Sequence, residues 1–247
     1  GHTGQIFDLI VSADGKYLAS ACEDATIRIW NITKAGNYEI HTLIDDNKVN
    51  TVAYSLDNRL FATGGHSQKI KIWDENQGTL LKTLSGHQGV VEGLAWSPDA
   101  KLLVSTSRDG TAIVWDVESG TQRLVFDKHK KAIWDVAVST DGSLTATGGS
   151  DGIVYIWDMQ TGTVLNTLKA DNGDVYAISI SPDKKWLAVG YQNRNIIIWN
   201  ISTGNPQYTL SEQITDSVQN VRFSHNGNIL ASVGDDGNLF LWDMKSN

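Results

Sequence analysis

The sequence lacks three features that would each indicate a different class of protein. Its 247 residues include one cysteine, Cys22, so no internal disulfide can form, which is typical of a reducing, cytoplasmic compartment. No run of about 18 apolar residues and no signal-peptide pattern is present, so the sequence predicts no membrane span. Acidic residues outnumber basic ones by 28 to 20, for a net charge of −8. Binding to a nucleic-acid backbone usually requires a basic patch, so this balance argues against nucleic acid as the main partner.

The sequence also lacks the local patterns by which cofactors and metals are commonly bound. It contains no glycine-rich phosphate loop, zinc-ligand cluster or dinucleotide fingerprint. The six histidines are scattered along the chain rather than grouped. The lysines around His129 (Lys128, Lys130 and Lys131) form a short basic cluster, for which a solvated turn is the simpler interpretation. We therefore expect no cofactor and no bound metal.

What the sequence does contain is a ten-residue pattern that occurs six times. "SRDGTAIVWD" (107–116) has the counterparts "CEDATIRIWN", "GHSQKIKIWD", "GSDGIVYIWD", "YQNRNIIIWN" and "GDDGNLFLWD". The tryptophans that anchor the alignment are Trp30, Trp73, Trp115, Trp157, Trp199 and Trp242, at spacings of 43, 42, 42, 42 and 43 residues. A period in this range predicts an array of similar structural units.

One unit, residues 86–126, shows what each repeat encodes. It holds four short apolar runs separated by turn signals such as Ser97-Pro98-Asp99-Ala100, and none has helical periodicity. The first three runs are nearly all apolar, which indicates burial on both faces, whereas the fourth is mixed with polar residues like an outer edge. Small sheets buried on both faces must pack between copies of themselves. The sequence therefore predicts an all-β fold, a β-propeller of four-stranded antiparallel blades, as a single domain over residues 1–247.

The dipeptide that closes the third run carries a family resemblance. It is Trp-Asp in four units and Trp-Asn in two, and Gly-His starts occur at Gly1-His2 and Gly86-His87. With six copies in register, the chain resembles the WD-repeat (WD40) family over its whole length. Propellers of this family commonly have seven blades, and one blade is usually completed by both chain ends. Because the chain begins at Gly1 and ends just after the third run of unit six, we expect a last blade without its outer strand, in a fragment of a longer protein whose ring has six, seven or more blades.

Three units contain a histidine, a hydroxyl residue and an aspartate, the residue types of a hydrolase triad. In unit three these are His87, Ser105 and Asp109. An enzyme needs one such site, but here the set recurs at the repeat period with a tryptophan always six residues after the aspartate. We therefore predict no catalytic residues and interpret the set as structural.

The resemblance implies that these side chains and the tryptophan form a buried hydrogen-bonded relay linking three strands of the blade. The implied relays are His87, Ser105, Asp109 and Trp115 in unit three; His2, Ser20, Asp24 and Trp30 in unit one; and His129, Thr147, Asp151 and Trp157 in unit four. The other units depart from the pattern, with Asp45, Thr63 and Ser67 in unit two, Asp171, Val189 and Asn193 in unit five, and Ile214, Ser232 and Asp236 in unit six. In those units we expect the blade to depend more on packing.

The family's usual binding surface is the narrow face around the central channel, and three positions of each unit are implied to lie near it. The first set is Phe7, Asn50, Glu92, Trp134, Tyr176 and Gln219. The second is Gln5, Lys48, Val90, Ala132, Asp174 and Ser217, and the third is Glu23, His66, Arg108, Ser150, Gln192 and Asp235. Aromatic residues at a rim suit binding hot spots, although packing between blades is an alternative for them. As partner-binding residues we predict Phe7, Glu23, Glu92, Arg108, Trp134, Asp174, Tyr176 and Asp235.

The function that follows from the resemblance is that of a non-catalytic scaffold or sensor module of a larger, cytoplasmic protein. Its expected partner is a protein or peptide, and the acidic rim residues favour one with positive charge. Self-association through the open edge of the last blade is a further expectation. A propeller enzyme with an active site at the channel mouth, or a nucleic-acid-binding propeller, remains as an alternative. The first would require carboxylates or a metal converging on one spot, and the second is opposed by the net charge.

Overall fold

The computed structural model describes residues 1–33, 39–170 and 173–245, and within these ranges every regular element is a β-strand. The chain divides into two compact units, residues 1–125 and 126–247. No helix suited in length and apolar character to crossing a membrane occurs among the described residues.

The strands form six antiparallel sheets. Those of the first three are β1 (Ile6–Val11), β2 (Tyr17–Cys22), β3 (Thr26–Asn31) and β4 (Glu39–Ile44) in blade one; β5 (Val49–Tyr54), β6 (Leu60–Gly65), β7 (Lys69–Asp74) and β8 (Thr79–Ser85) in blade two; β9 (Val91–Trp96), β10 (Leu102–Ser107), β11 (Ala112–Asp116) and β12 (Thr121–Phe126) in blade three. Those of the second three are β13 (Ile133–Val138), β14 (Thr145–Gly149), β15 (Ile153–Trp157) and β16 (Val164–Lys169) in blade four; β17 (Val175–Ile180), β18 (Trp186–Tyr191), β19 (Ile196–Asn200) and β20 (Pro206–Leu210) in blade five; β21 (Val218–Phe223), β22 (Ile229–Gly234) and β23 (Leu239–Asp243) in blade six.

Within each sheet the strands pair in chain order, so every blade is a meander, and blade six has three strands among the described residues. The predicted fold class is therefore confirmed: the chain is all-β and consists of four-stranded antiparallel propeller blades, the last of them three-stranded. The fourth strands are also half exposed, as their mixed composition predicts; β8, for example, buries the side chain of Leu84 and exposes those of Leu80 and Leu81.

Neighbouring blades within a unit pack through apolar side chains of their inner strands. Blades one and two share a cluster around Ile27, Ile29 and Phe61, and blades five and six share one around Ile198 and Val218. Complete burial of such a side chain stabilises the fold by about 1.5–3 kcal/mol relative to leaving it in water. This burial explains why the first three runs of the repeats are mostly apolar.

The glycines of the second strands allow this close approach. A Cβ added at Gly64 would lie 2.6 Å from Cγ1 of Val91 in the next blade, and one added at Gly190 would lie 2.7 Å from Cγ1 of Val218. Carbon atoms cannot approach that closely. The first strand of the following blade therefore occupies the space that a side chain would need.

The first strand of every blade contains a β-bulge at the same place. Strand pairing skips one residue there, and the skipped residues are Phe7, Asn50, Glu92, Trp134, Tyr176 and Gln219. A bulge bends the strand and redirects the side chain of the extra residue. The six bulge residues are the first set of positions that the sequence places near the rim.

Apolar side chains are exposed on two strands where the equivalent residues of other blades are buried. In the first unit, Ile6 on β1 is 47% exposed, whereas its counterpart Val49 on β5 is fully buried. In the second unit, Leu241 on β23 is 66% exposed, whereas its counterpart Ile198 on β19 is fully buried. Among the described residues, β1 of the first unit and β23 of the second thus each present exposed apolar side chains.

Candidate functional site

One backbone hydrogen bond recurs in all six blades and brings the three predicted rim positions together. In blade five it runs from the N–H of Gln192, in the turn after β18, to the carbonyl of Asp174, two residues before the bulge, at 3.0 Å. The corresponding donor and acceptor pairs are Glu23 and Gln5, His66 and Lys48, Arg108 and Val90, Ser150 and Ala132, and Asp235 and Ser217, at 2.8–3.1 Å. The bulge residue, the residue two before it and the turn residue therefore lie at the same end of each blade.

In the first unit the predicted acidic residues are paired with cations. Lys48 donates a hydrogen bond to Glu23, and this bond lowers the pKa of the Glu23 carboxyl. Arg108 pairs with Glu92, whose other carboxylate oxygen accepts a 2.9 Å bond from the Asn50 amide. The negative charges of both glutamates are thus offset within the unit itself. Phe7 lies at the same end of blade one with 39% of its surface exposed.

In the second unit the bulge residues of blades four and five are in contact. The Trp134 and Tyr176 rings meet edge to face, with centroids 6.0 Å apart and planes at 86°. Both side chains are half buried. The Trp134 indole N–H donates to the Ser150 hydroxyl at 2.6 Å, and that hydroxyl donates to the Asp174 carboxylate at 2.7 Å. The ring pair is therefore held to Asp174 by a chain of hydrogen bonds between blades four and five.

The carboxylates beside this ring pair differ from those of the first unit. Asp235 accepts hydrogen bonds from the Ser217 hydroxyl and, at 2.9 Å, from the Gln219 amide. In the described part of the chain, neither Asp174 nor Asp235 has a lysine or arginine nitrogen within 4.0 Å. Burial raises the pKa of the Tyr176 hydroxyl, and the negative charges of Asp174 and Asp235 raise it further. The phenol therefore lies within the electrostatic reach of both carboxylates.

An aspartate one residue beyond the bulge ties the blades together, a role that the sequence interpretation missed. In the second unit, Asp135 accepts a 2.9 Å bond from the Ile178 N–H and pairs with Arg222, which also donates to the Ile178 carbonyl at 2.9 Å. Burial raises the pKa of Asp135, while the Arg222 charge opposes this rise. In the first unit, Asp8 accepts a 3.0 Å bond from the Val52 N–H. An aspartate in an otherwise apolar first strand was the available signal.

The hydrogen bonds implied by the family resemblance are present in units one, three and four. In blade three, Trp115 Nε1–H donates to the Ser105 hydroxyl at 2.8 Å, which lies 2.7 Å from His87 Nε2, and His87 Nδ1 lies 2.9 Å from Asp109. A carboxylate only accepts, so Nδ1 carries the proton and Nε2 accepts that of the serine. The equivalent contacts join Trp30, Ser20, His2 and Asp24 at 2.6–3.2 Å, and Trp157, Thr147, His129 and Asp151 at 3.0–3.2 Å.

The burial of its serine sets this arrangement apart from a hydrolytic site, whose nucleophile must be reached by substrate. Ser105 is completely buried, and its hydroxyl is occupied on both sides, so it cannot reach a substrate from solvent. Burial opposes ionisation of Asp109, but hydrogen bonds from His87, Thr111 and the Gln88 backbone outweigh it and hold the pKa of Asp109 well below its usual range. A charged carboxylate fixed in this way keeps the histidine in one orientation.

Unit two replaces the relay with an ion pair. Lys71 and Asp45 are both buried, their charged atoms lie 3.1 Å apart, and the Lys71 ammonium lies 6.0 Å from the centre of the Trp73 ring. The Trp73 indole still donates to the Thr63 hydroxyl at 3.0 Å. Blade two thus has a buried ion pair at the relay position, which the sequence interpretation did not anticipate.

Units five and six depart in a different way. In unit five, Val189 and Trp199 are buried in an apolar cluster, and the predicted Asp171 lies outside the described residues. In unit six, Trp242 donates to the Ser232 hydroxyl at 2.9 Å, while Ile214 is buried and has no polar group to offer.

One group in the described ranges could in principle hold a metal ion: His2, Cys22 and Asp24, whose ligand atoms lie within 4.8 Å of one another. Its polar atoms are already engaged. His2 contacts Asp24 and Ser20 through its two nitrogens, and Cys22 Sγ accepts a 3.4 Å bond from the Asp24 N–H. The contacts of His2 with Asp24 and Ser20 are those of the relay in blade one.

Comparison with known proteins matches both halves of the chain to propeller families. The model of the WD domain, G-beta repeat matches residues 1–31, 37–74 and 78–116, and that of the Vps8 beta-propeller matches residues 136–247.

Among curated proteins, the WD repeat-containing protein 26 homolog of Arabidopsis thaliana is 38% identical over 79 residues, which are 31% of this chain and 13% of that protein. The WD repeat-containing protein WDS homolog of the same plant is 33% identical over 88 residues, 35% of this chain and 17% of that protein. Protein hir1 of Schizosaccharomyces pombe is 29% identical over 110 residues, 38% of this chain and 12% of that protein. The matches thus span less than a fifth of these relatives. Taken with the six blades and their closing Trp-Asp and Trp-Asn dipeptides, these matches show that the chain is a β-propeller that carries WD repeats over residues 1–116 and is similar to WD-repeat proteins.

Proposed function

We propose that the chain is a non-catalytic module that binds a protein or peptide, as a scaffold or sensor region of a larger cytoplasmic protein. The observation that carries the proposal is the contact between Trp134 and Tyr176, two aromatic residues on successive bulges. Aromatic side chains offer a large contact area at a low cost in conformational entropy, and they dominate the energetics of many interfaces. The similarity to WD-repeat proteins favours the same function.

The interior of the second unit does not need these two rings. Ile133 and Val136, on either side of Trp134 in sequence, are buried, while Trp134 itself is half exposed. The same holds for Val175 and Ala177 around Tyr176. Strand pairing skips both residues and each is half exposed, so a partner can contact their exposed surfaces without disrupting the strand ladder.

The proposal is tested with a random dodecapeptide library displayed on phage and selected on the 247-residue chain. The selected peptides are then synthesised and titrated by calorimetry against the chain and its variants. We expect Trp134→Ala and Tyr176→Ala to weaken them about thirtyfold, which corresponds to a loss of about 2 kcal/mol of binding energy. Lys82→Ala, on the outer strand β8 of the first unit, is the control and should leave affinity unchanged.

Melting curves accompany the titrations. If Trp134→Ala unfolds the second unit, Tyr176→Ala and the milder Trp134→Phe, which keeps an aromatic ring, carry the test. The proposal is wrong if every selected peptide binds the folded alanine variants as tightly as it binds the parent chain.

A further inference from the structure

We infer that the surface formed by Trp134, Tyr176, Asp174 and Asp235 recognises an arginine side chain of the partner. This inference rests on the proposed function and specifies the ligand of the same surface. The two units differ in how their acidic residues are paired. Glu23 and Glu92 have cationic partners in the first unit, whereas Asp174 and Asp235, which lie at the same end of their blades, are held by uncharged donors only.

Each aspartate keeps part of its hydrogen-bonding capacity. The bonds from Ser150 and from Ser217 and Gln219 all reach Oδ2 atoms. Among the described residues, no donor occupies Oδ1 of either Asp174 or Asp235. The neutral donors therefore fix the orientation of the carboxylates without neutralising them, and one oxygen of each remains for a ligand.

The aromatic rings of Trp134 and Tyr176 further restrict which cationic side chain suits this surface. A guanidinium ion is planar, stacks on aromatic rings, and presents several N–H groups that match carboxylate oxygens. Lysine carries its charge on a compact, strongly hydrated ammonium and gains less from such a surface. A site with two carboxylates beside two aromatic rings therefore favours arginine over lysine, and both over an uncharged side chain.

The probes are the N-acetyl, N-methylamide derivatives of arginine, lysine and citrulline, the last being an uncharged analogue of arginine. Each is titrated into the ¹⁵N-labelled chain, and binding is followed at the indole N–H of Trp134 and the amide of Asp235. We expect the arginine derivative to shift both signals with at least tenfold higher affinity than citrulline, and lysine to fall between them.

Asp235→Asn and the double variant Asp174→Asn/Asp235→Asn should abolish the preference for arginine over citrulline. Asp183→Asn is the matched control, because it removes the same charge from an exposed turn of blade five and should keep the preference. Asp235 is exposed, so its single variant tests the inference even if the double variant unfolds. Equal binding of arginine and citrulline, or equal effects of Asp183→Asn and Asp235→Asn, would overturn the inference.

The selected dodecapeptides separate this inference from the proposed function. If Trp134→Ala weakens a peptide thirtyfold but replacing each of its arginines by citrulline does not, the surface binds peptides and the assignment of arginine is wrong. If neither change has an effect, both the surface and the assignment are wrong. If citrulline costs tenfold or more and Asp235→Asn removes that cost, the inference is supported.

Discussion

Replacing Asp109 by alanine removes the carboxylate that ends the relay of blade three. That carboxylate accepts hydrogen bonds from His87 Nδ1 at 2.9 Å, from the Gln88 N–H at 2.8 Å, and from the hydroxyl and N–H of Thr111 at 2.6 and 2.9 Å. The His87 side chain is fully buried, whereas Gln88 is exposed and Thr111 is half buried. After the substitution, water can replace the carboxylate at Gln88 and Thr111, whereas the buried His87 Nδ1 keeps only its longer contact with the Thr111 hydroxyl, at 3.3 Å.

The expected loss follows from that one buried donor. A buried hydrogen-bonding group left without a partner costs about 1–3 kcal/mol. We therefore expect Asp109→Ala to lower the free energy of unfolding by about 1–3 kcal/mol. Asp99 lies in the exposed turn after β9 and accepts bonds from the Ser97 hydroxyl and the Lys101 N–H. Its replacement by alanine should cost about 0.5 kcal/mol or less, because Asp99 and Lys101 are exposed and the buried Ser97 hydroxyl keeps its hydrogen bond from the Leu102 N–H.

Urea unfolding at pH 7 measures both losses. Asp236→Ala serves as a position-matched control, because Asp236 occupies the same turn position in blade six, where Ile214 stands in place of the histidine. This variant should resemble Asp99→Ala rather than Asp109→Ala. Equal losses for Asp109→Ala and Asp99→Ala would refute a buried structural relay. A hydrolytic role would instead leave stability unchanged and abolish turnover of a substrate.

First, the pKa of Asp109 is lowered on folding, so its carboxylate stabilises the fold above the unfolded pKa of about 4, and this contribution is lost as pH falls further. The difference in unfolding free energy between the parent chain and Asp109→Ala should therefore shrink in urea titrations below pH 4. A difference that stays constant would contradict this. Second, Lys71→Met leaves Asp45 buried without its cation and should lower the free energy of unfolding by about 3–5 kcal/mol. The double variant Lys71→Met/Asp45→Leu should recover much of that loss in urea unfolding. Equal losses for the single and the double variant would mean that the two charges do not interact. Third, β23 is an edge strand with Leu239 and Leu241 exposed, and such edges recruit other strands. Hydrogen exchange should be faster in β23 than in β11, and Leu241→Asp should reduce self-association in sedimentation experiments. Equal protection of the two strands in a monomer would show that the edge is covered.

The repeat pattern predicted the fold because every unit must bury the apolar side chains of its inner strands. Aligning the six tryptophans assigned each apolar run to a strand and marked the fourth strand as the outer one. The same alignment placed Trp134 and Tyr176 at equivalent positions, and the structure adds that both are bulge residues in contact. Residues at equivalent repeat positions share a backbone environment, so a structural assignment made in one unit applies to the others.

Side-chain pairings between different positions could not be predicted in this way. Lys48 pairs with Glu23 of the preceding blade, and Lys71 reaches Asp45 from the third strand of its own blade. Neither contact joins residues that the repeat pattern relates, because each depends on how far one long side chain extends. The sequence therefore predicted four acidic rim residues, and the structure distinguishes Glu23 and Glu92, which have cationic partners, from Asp174 and Asp235.

The constant bulge has a consequence for how binding relates to stability. The backbone at this place is the same in all six blades, yet the side chains there are three aromatic rings, two amides and one carboxylate. Side chains of such different chemistry share one backbone conformation, so the bulge does not depend on the residue it presents. Strand pairing, the relays and the buried glycines set the geometry, and the bulge residues are free to vary around it. Changes at Trp134 and Tyr176 should therefore alter affinity with little effect on unfolding, whereas changes at Asp109 or Lys71 should do the reverse.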